Sequence, residues 1–323
     1  MLSVFCMNYF IQKEMVTTGG LALTKYQFNV LSMLPHVAAA LASLIVGSAI
    51  VVTSILMQSM PPMDATFVRY FIAFICILPF LFKDRAKIKK LKRADIIPIC
   101  LLGFMFFFTF PLTLNNALGL TTASHGSLLV ALLPGLSLIL GFFLSVEKLN
   151  IFKILGCFSA VLGVLIGVFP DLLLTNFSAK IISGDFLMFL AMVQGAAFSV
   201  LSKRYFQRYG AWFVTVVCIA VAFAFPAPFI LLNIGVDWVF DLTKTQIFYL
   251  AFLGTFGGPL QFGLFGFSLT RLGPSRASMY LVLAPLSGSA LAILILGEIL
   301  SGLFILGLLF VCLAIFLVNF RGD

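Results

Sequence analysis

Apolar residues fall into ten long runs separated by short polar gaps. The runs cover residues 36–58, 64–82, 96–118, 121–144, 150–170, 184–206, 210–233, 245–270, 274–297 and 300–320. A helix needs roughly 20 apolar residues to cross about 30 Å of hydrocarbon, so each run predicts one transmembrane helix. The alternating segments of about ten residues that build a membrane β-barrel are not found in the sequence. The pattern predicts an all-α polytopic membrane protein of ten spans.

Composition sharpens that picture. The 323 residues are 62% hydrophobic and 10% charged, with 38 phenylalanines, against about 45–50% apolar and about 25% charged in soluble domains. Lipid can accept this much apolar surface and water cannot. The six cysteines (Cys6, Cys76, Cys100, Cys157, Cys218 and Cys312) form no C-x-x-C pair. Packing is their expected role, rather than zinc binding or disulfides.

The net charge of +9 is distributed along the membrane normal rather than over a nucleic-acid-binding face. With ten spans, 17 of the 20 Lys and Arg residues fall on the side that holds both termini, including the run Lys83–Arg93. Only Lys180 and Lys244 fall on the other side, and Arg69 lies within a span. By the positive-inside rule both termini are cytoplasmic, and the expected location is a bacterial inner membrane. Residues 1–34 carry no signal-peptide pattern and read as a cytoplasmic extension, with Met33 an alternative start.

The chain also repeats itself. Leu132-Leu133-Pro134-Gly135-Leu136-Ser137 corresponds to Leu283-Ala284-Pro285-Leu286-Ser287-Gly288, with the prolines 151 residues apart. At that offset Ser124 matches Ser275, Glu147 matches Glu298, and Leu102-Gly103 matches Leu253-Gly254. Two five-span units follow, over 35–170 and 184–320. Five is odd, so the second unit enters the membrane from the opposite side. That is the inverted repeat of many secondary transporters, and it predicts alternating access.

These segments resemble a known family. Ala117-Leu118-Gly119-Leu120-Thr121-Thr122-Ala123-Ser124, then Leu133-Pro134 and Glu147-Lys148-Leu149, are similar to the EamA domain. The second copy reads Leu272-Gly273-Pro274-Ser275-Arg276-Ala277-Ser278, Ala284-Pro285 and Gly297-Glu298-Ile299-Leu300. The resemblance, over about 36–320, is to the ten-helix branch of the drug/metabolite transporter superfamily. It implies a cavity lined by helices 1, 3, 4, 6, 8 and 9, with helices 5 and 10 peripheral. It also implies a small solute such as an amino acid, nucleotide-related metabolite, sugar or drug, in many members moved outward.

Polar residues at mid-depth are the candidate solute contacts, because a polar side chain in lipid faces protein or water. Gln194 and Gln261 sit near the centres of spans 6 and 8. Asn115 and Asn116 lie in the outer half of span 3, about 100° apart on the helix, so one of them at most need face inward. Tyr280 in span 9 is a contact or a gate. Gly257-Gly258-Pro259 breaks span 8 and frees backbone carbonyls, while Pro134 and Pro285 kink spans 4 and 9 either as hinges or as static bends.

Four ionisable residues are read as structural or coupling groups. Arg69 either attracts an anion, pairs with Asp64 or snorkels outward. His125 starts span 4 as a cap, an interfacial donor or a group titrating near neutrality, and His36 is expected at the interface. Glu147 and Glu298 are expected to accept backbone donors where the next helix begins.

The sequence contains no G-x-x-x-x-G-K-[ST] loop, so transport would draw on the solute gradient or a coupled ion. Small multidrug exporters of the superfamily carry a carboxylate in helix 1, and residues 36–58 have none. With no acidic residue read at the middle of any span, a neutral or zwitterionic metabolite is the expected solute. No cofactor, metal or nucleic acid is expected, and the lipid-embedded chain is expected as a monomer or homodimer. An intramembrane enzyme would need clustered catalytic groups, and a channel or sensor would need a charged ring or an appended domain.

Overall fold

A computed structural model describes residues 25–83, 91–146, 150–174, 178–225, 227–228, 239, 241–297 and 301–320. Its regular elements, among the described residues, are all helical. In chain order they are α1 (Lys25–Met57), α2 (Pro62–Lys83), α3 (Arg93–Leu118), α4 (Ala123–Phe143) and α5 (Ile151–Leu174). Then come α6 (Ala179–Tyr209), α7 (Ala211–Ala224), α8 (Lys244–Leu272), α9 (274–296) and α10 (Gly302–Phe320). Seven have the length and apolar content to cross a membrane, and the shorter α5, α7 and α10 are also apolar. Each of the ten overlaps one of the predicted runs, with α1 and α6 beginning earlier, at Lys25 and Ala179. Pro35–Asp323 forms one compact unit.

The surface confirms the solvent. Ile97, Phe143, Phe158, Phe248 and Leu294 are each more than 60% exposed. Helices whose backbone groups are paired internally can present such faces to hydrocarbon, whereas in water they would form aggregation-prone patches.

The two halves share their irregularities as well as their helices. A π turn interrupts α3 at Met105–Thr109 and another interrupts α8 at Phe256–Leu260, again 151 residues apart. A 3-10 turn, Val130–Leu132, precedes Pro134 in α4, and Tyr280–Val282 precedes Pro285 in α9. Proline has no N–H for the carbonyl four residues back, and in both helices the preceding turn tightens.

Glycines set the crossings between the halves. A Cβ at Gly103 would lie 2.9 Å from the backbone of Cys218 in α7, and one at Gly254 would lie 2.7 Å from Ile72 and 2.9 Å from the Arg69 carbonyl in α2. The third helix of each repeat thus packs on the second helix of the other. The fifth helices pair with each other through Gly163 and Gly307, and Ser159 Oγ donates to the Phe310 carbonyl at 2.7 Å. α6 and α7 turn about Gly210 (φ 89°) and α8 and α9 about Gly273 (φ 87°), a backbone region that glycine enters freely.

Candidate functional site

The centre of the bundle is aromatic. Phe106 and Phe107 lie in the π turn of α3, Phe198 lies one turn beyond Gln194 in α6, and Phe262 follows Gln261 in α8. The Phe106 and Phe198 rings stack with centroids 4.0 Å apart and planes 8° apart. Phe262 meets Phe106 edge-on at 5.2 Å and Phe107 at 4.7 Å. All four are buried, so three helices from both repeats close on one cluster at mid-length. No sequence signal singled these rings out, because 38 phenylalanines give no contrast.

The polar candidates surround this cluster unequally. Gln194 Nε2 donates to Thr113 Oγ1 of α3 at 3.5 Å, while its Oε1 is buried without a partner. Gln261 is 5% exposed, and its side chain has no hydrogen-bond partner among the described residues. Asn115 is 2% exposed and donates to Thr66 Oγ1 at 2.9 Å and to the Pro62 carbonyl at 3.3 Å, both in α2, leaving Oδ1 buried and unpaired. Asn116 is exposed and donates to the Leu112 carbonyl of its own helix at 2.7 Å. Of the two asparagines it is therefore Asn115 that faces inward. The assignment of N and O within each amide follows the hydrogen-bond network.

Arg69 has a partner that the sequence did not indicate. It neither pairs with Asp64 nor snorkels outward. It is 7% exposed, and its Nη2 donates to the Gly257 carbonyl across the α2–α8 contact at 2.5 Å. That carbonyl lies in the break at Gly257-Gly258-Pro259, where Gly258 has φ −112°, ψ −110°. In hydrocarbon a backbone acceptor must be satisfied by protein, and a guanidinium, always protonated, is the strongest donor available.

The two ends of the bundle carry different polar links. At the basic end, Asp95 Oδ2 accepts from Arg208 Nη1 at 2.7 Å and from the Tyr209 hydroxyl at 2.6 Å, joining the start of α3 to the end of α6. Tyr280 there is half-buried and hydrogen-bonds His36 Nδ1 at 2.6 Å, joining α9 to α1. His36 thus bridges two helices at this end. At the opposite end, Thr121 Oγ1 donates to Asp185 Oδ1 at 2.6 Å, and His125 Nδ1 lies 3.4 Å from Asp185 Oδ2. His125 is 3% exposed, and the cap of α4 is Thr122, whose Oγ1 accepts from the His125 backbone N–H at 3.2 Å. α6 begins at Ala179 rather than 184, which places the Asp185 carboxylate in its second turn. Glu147 and Glu298 lie outside the described residues.

The family is decided by matches in both halves. The family model described as "EamA-like transporter family" matches residues 33–169 and again residues 182–320. The chain belongs to this family. Among its curated relatives, the EamA-family chain is 24% identical over 266 residues to the uncharacterized transporter YetK of Bacillus subtilis (strain 168), covering 81% of this chain and 80% of that one. It is 25% identical over 269 residues to an uncharacterized transporter of Clostridium kluyveri, covering 82% and 85%. A WAT1-related chloroplastic protein of Arabidopsis thaliana is 29% identical over 217 residues, 64% of this chain and 51% of that one. A solved crystal structure shares the fold with a TM-score of 0.61 at 19% identity, over 86% of this chain and 96% of that one. The EamA-family chain is a multi-pass membrane transporter.

Proposed function

We propose that this transporter is a secondary carrier that moves a small neutral or zwitterionic metabolite, such as an amino acid, through a polar hollow between its repeats by alternating access. The observation that carries this reading is the pair of buried, unpartnered amide oxygens, Gln194 Oε1 and Asn115 Oδ1. A buried acceptor without a partner is uncommon in a native structure. Groups that face N–H donors only when a solute is present suit an amino or ammonium group. Gln261, on α8, supplies a third uncommitted amide from the second repeat.

The phenylalanine cluster separates this amide region from the basic end, and Tyr280 with His36 closes that end as a gate. Pro134 and Pro285, each behind a tightened turn, and the Gly257-Gly258-Pro259 break are the flexing points. Orientation follows the charge bias, with both termini cytoplasmic in a bacterial inner membrane and residues 1–34 a cytoplasmic extension of two domains, 35–170 and 184–320. Export is the direction common in the family.

The test begins with a thermal-stabilisation screen of the purified protein against an amino-acid and metabolite library. A ligand at 100 times its Kd stabilises by about 2.7 kcal/mol whichever way it is transported. The stabilising solute is then followed in proteoliposomes. Gln194→Ala and Gln261→Ala are expected to slow its saturable flux by about tenfold, the effect of roughly 1.4 kcal/mol, with folded protein recovered at wild-type level. Unchanged flux in both variants removes the amide site.

A further inference from the structure

The structure offers one cluster that the solute pathway does not use. Asp185 stands on α6, in the second repeat. Both of its partners, the Thr121 hydroxyl and the His125 imidazole, stand on the α3–α4 connection and the first turn of α4, in the first repeat. Close approach at this point is built in: a Cβ at Gly184, beside the carboxylate, would lie 2.8 Å from the Thr121 backbone N. The Asp185 side chain is 13% exposed and that of His125 is 4% exposed. An ionisable residue inside a membrane span points to function, with its partner as the second half of the device.

We propose that His125 and Asp185 form a proton-binding site whose occupancy fastens the two repeats together at this end. The step moves a proton only. Water delivers H⁺ to an imidazole nitrogen of His125, giving an imidazolium beside the Asp185 carboxylate, and release returns it to water. Histidine is the side chain whose ordinary titration lies between about pH 5 and 8. With the proton bound, opposite charges face each other across the repeat boundary. Without it, a neutral ring faces a carboxylate that keeps the Thr121 hydroxyl, and the attraction across the boundary is weaker. Proton binding therefore differs in strength between closed and open forms, which is the condition for it to shift their balance. This deepens the carrier reading and rests on it for the link to transport. The site itself is independent of any solute.

The other described charged groups of this end form no ion pair with Asp185. They are Lys180 on α6, Asp64 and Arg69 on α2, Asp241 ahead of α8 and Lys244 at its start. Arg69 is committed to the Gly257 carbonyl. α1, α3, α4 and α9 bring no other charged side chain to this end among their described residues. Asp171, Asp237 and Glu298, which belong to this end by sequence, lie outside the described side chains.

The chain has two histidines, so its histidine NMR signals can be assigned by comparison with His125→Gln. The full-length protein, labelled with ¹⁵N-histidine in detergent, is titrated with the proton as the only ligand. The His125 ring is expected to change protonation within the range examined, and Asp185→Asn is expected to weaken its proton affinity by at least about tenfold, one pH unit. Amide exchange in 121–127 and 181–187, corrected for its intrinsic pH dependence, is expected to slow on protonation in the wild type and to lose that response in both variants. If either substitution prevents folding, the exchanged pair His125→Asp with Asp185→His restores both readouts. A ring that keeps one protonation state, or a titration indifferent to residue 185, overturns the site. Exchange that ignores protonation overturns the fastening. None of these outcomes depends on finding the solute, so failure of the carrier reading would show separately, as absence of saturable flux.

Discussion

The π turns of α3 and α8 occupy equivalent places in the two repeats, yet they are held in different ways. In α3 the turn Met105–Thr109 lies wholly within helical torsion angles at its caps, and Thr109 Oγ1 donates to the Met105 carbonyl at 2.5 Å. The irregularity is satisfied by its own helix. In α8 the turn contains Gly257-Gly258-Pro259, and its Gly257 carbonyl accepts from Arg69 of the other repeat. One sequence-encoded fold unit thus reaches the same deformation by a local route and by a long-range one. A deformation kept in both copies by different means belongs to the architecture rather than to either local sequence. π turns recur at functional sites, and here both deliver phenylalanines or an amide to the centre.

The comparison can be broken most severely at Arg69. Arg69→Met leaves the Gly257 carbonyl without its side-chain donor, and a hydrogen bond to a charged group contributes roughly 1.5–3 kcal/mol. The expected result is a fall in thermal stability at the upper end of that range, with faster amide exchange at 253–258 and little change at 104–110. Equal loosening of both turns would mean that the two are not independently held. Next come the crossings that flank the turns. Gly103→Ala and Gly254→Ala each push a Cβ into backbone or a β-branched side chain, and overpacking costs roughly 1–3 kcal/mol. Similar losses of thermal stability are expected in the two variants, because the repeats use this glycine alike. Thr109→Val is the mildest, with a loss of about 1 kcal/mol for one neutral hydrogen bond. Its π turn is expected to persist, as read by unchanged exchange at 104–110.

The same contrast explains what could be read from the sequence. Span number and the repeat were legible because hydrocarbon thickness and proline spacing act locally. The α8 break was legible for the same reason, since Gly-Gly-Pro interrupts a helix wherever it stands. The α3 turn was not, because Met-Phe-Phe-Phe-Thr carries no helix-breaking residue. Arg69 could be placed inside a span, but its partner lies 188 positions away in the chain, beyond the reach of any local pattern. Asp185 was missed because it stands at the border between a polar gap and an apolar run, where a shift of one helical turn decides whether a carboxylate is solvated or enclosed. Among the asparagines, periodicity established that one at most faces inward, and the contacts to Pro62 and Thr66 select Asn115.

The ring cluster of Phe106, Phe107, Phe198 and Phe262 has a bearing on the energy economy of the cell. Phenyl faces in van der Waals contact offer water nothing to bind, and an apolar constriction interrupts a hydrogen-bonded water file by drying. A proton cannot hop where the file is cut. Under the carrier reading proposed above, rings packed this closely keep such a file from crossing the bundle, so that an idle molecule does not short-circuit the membrane voltage.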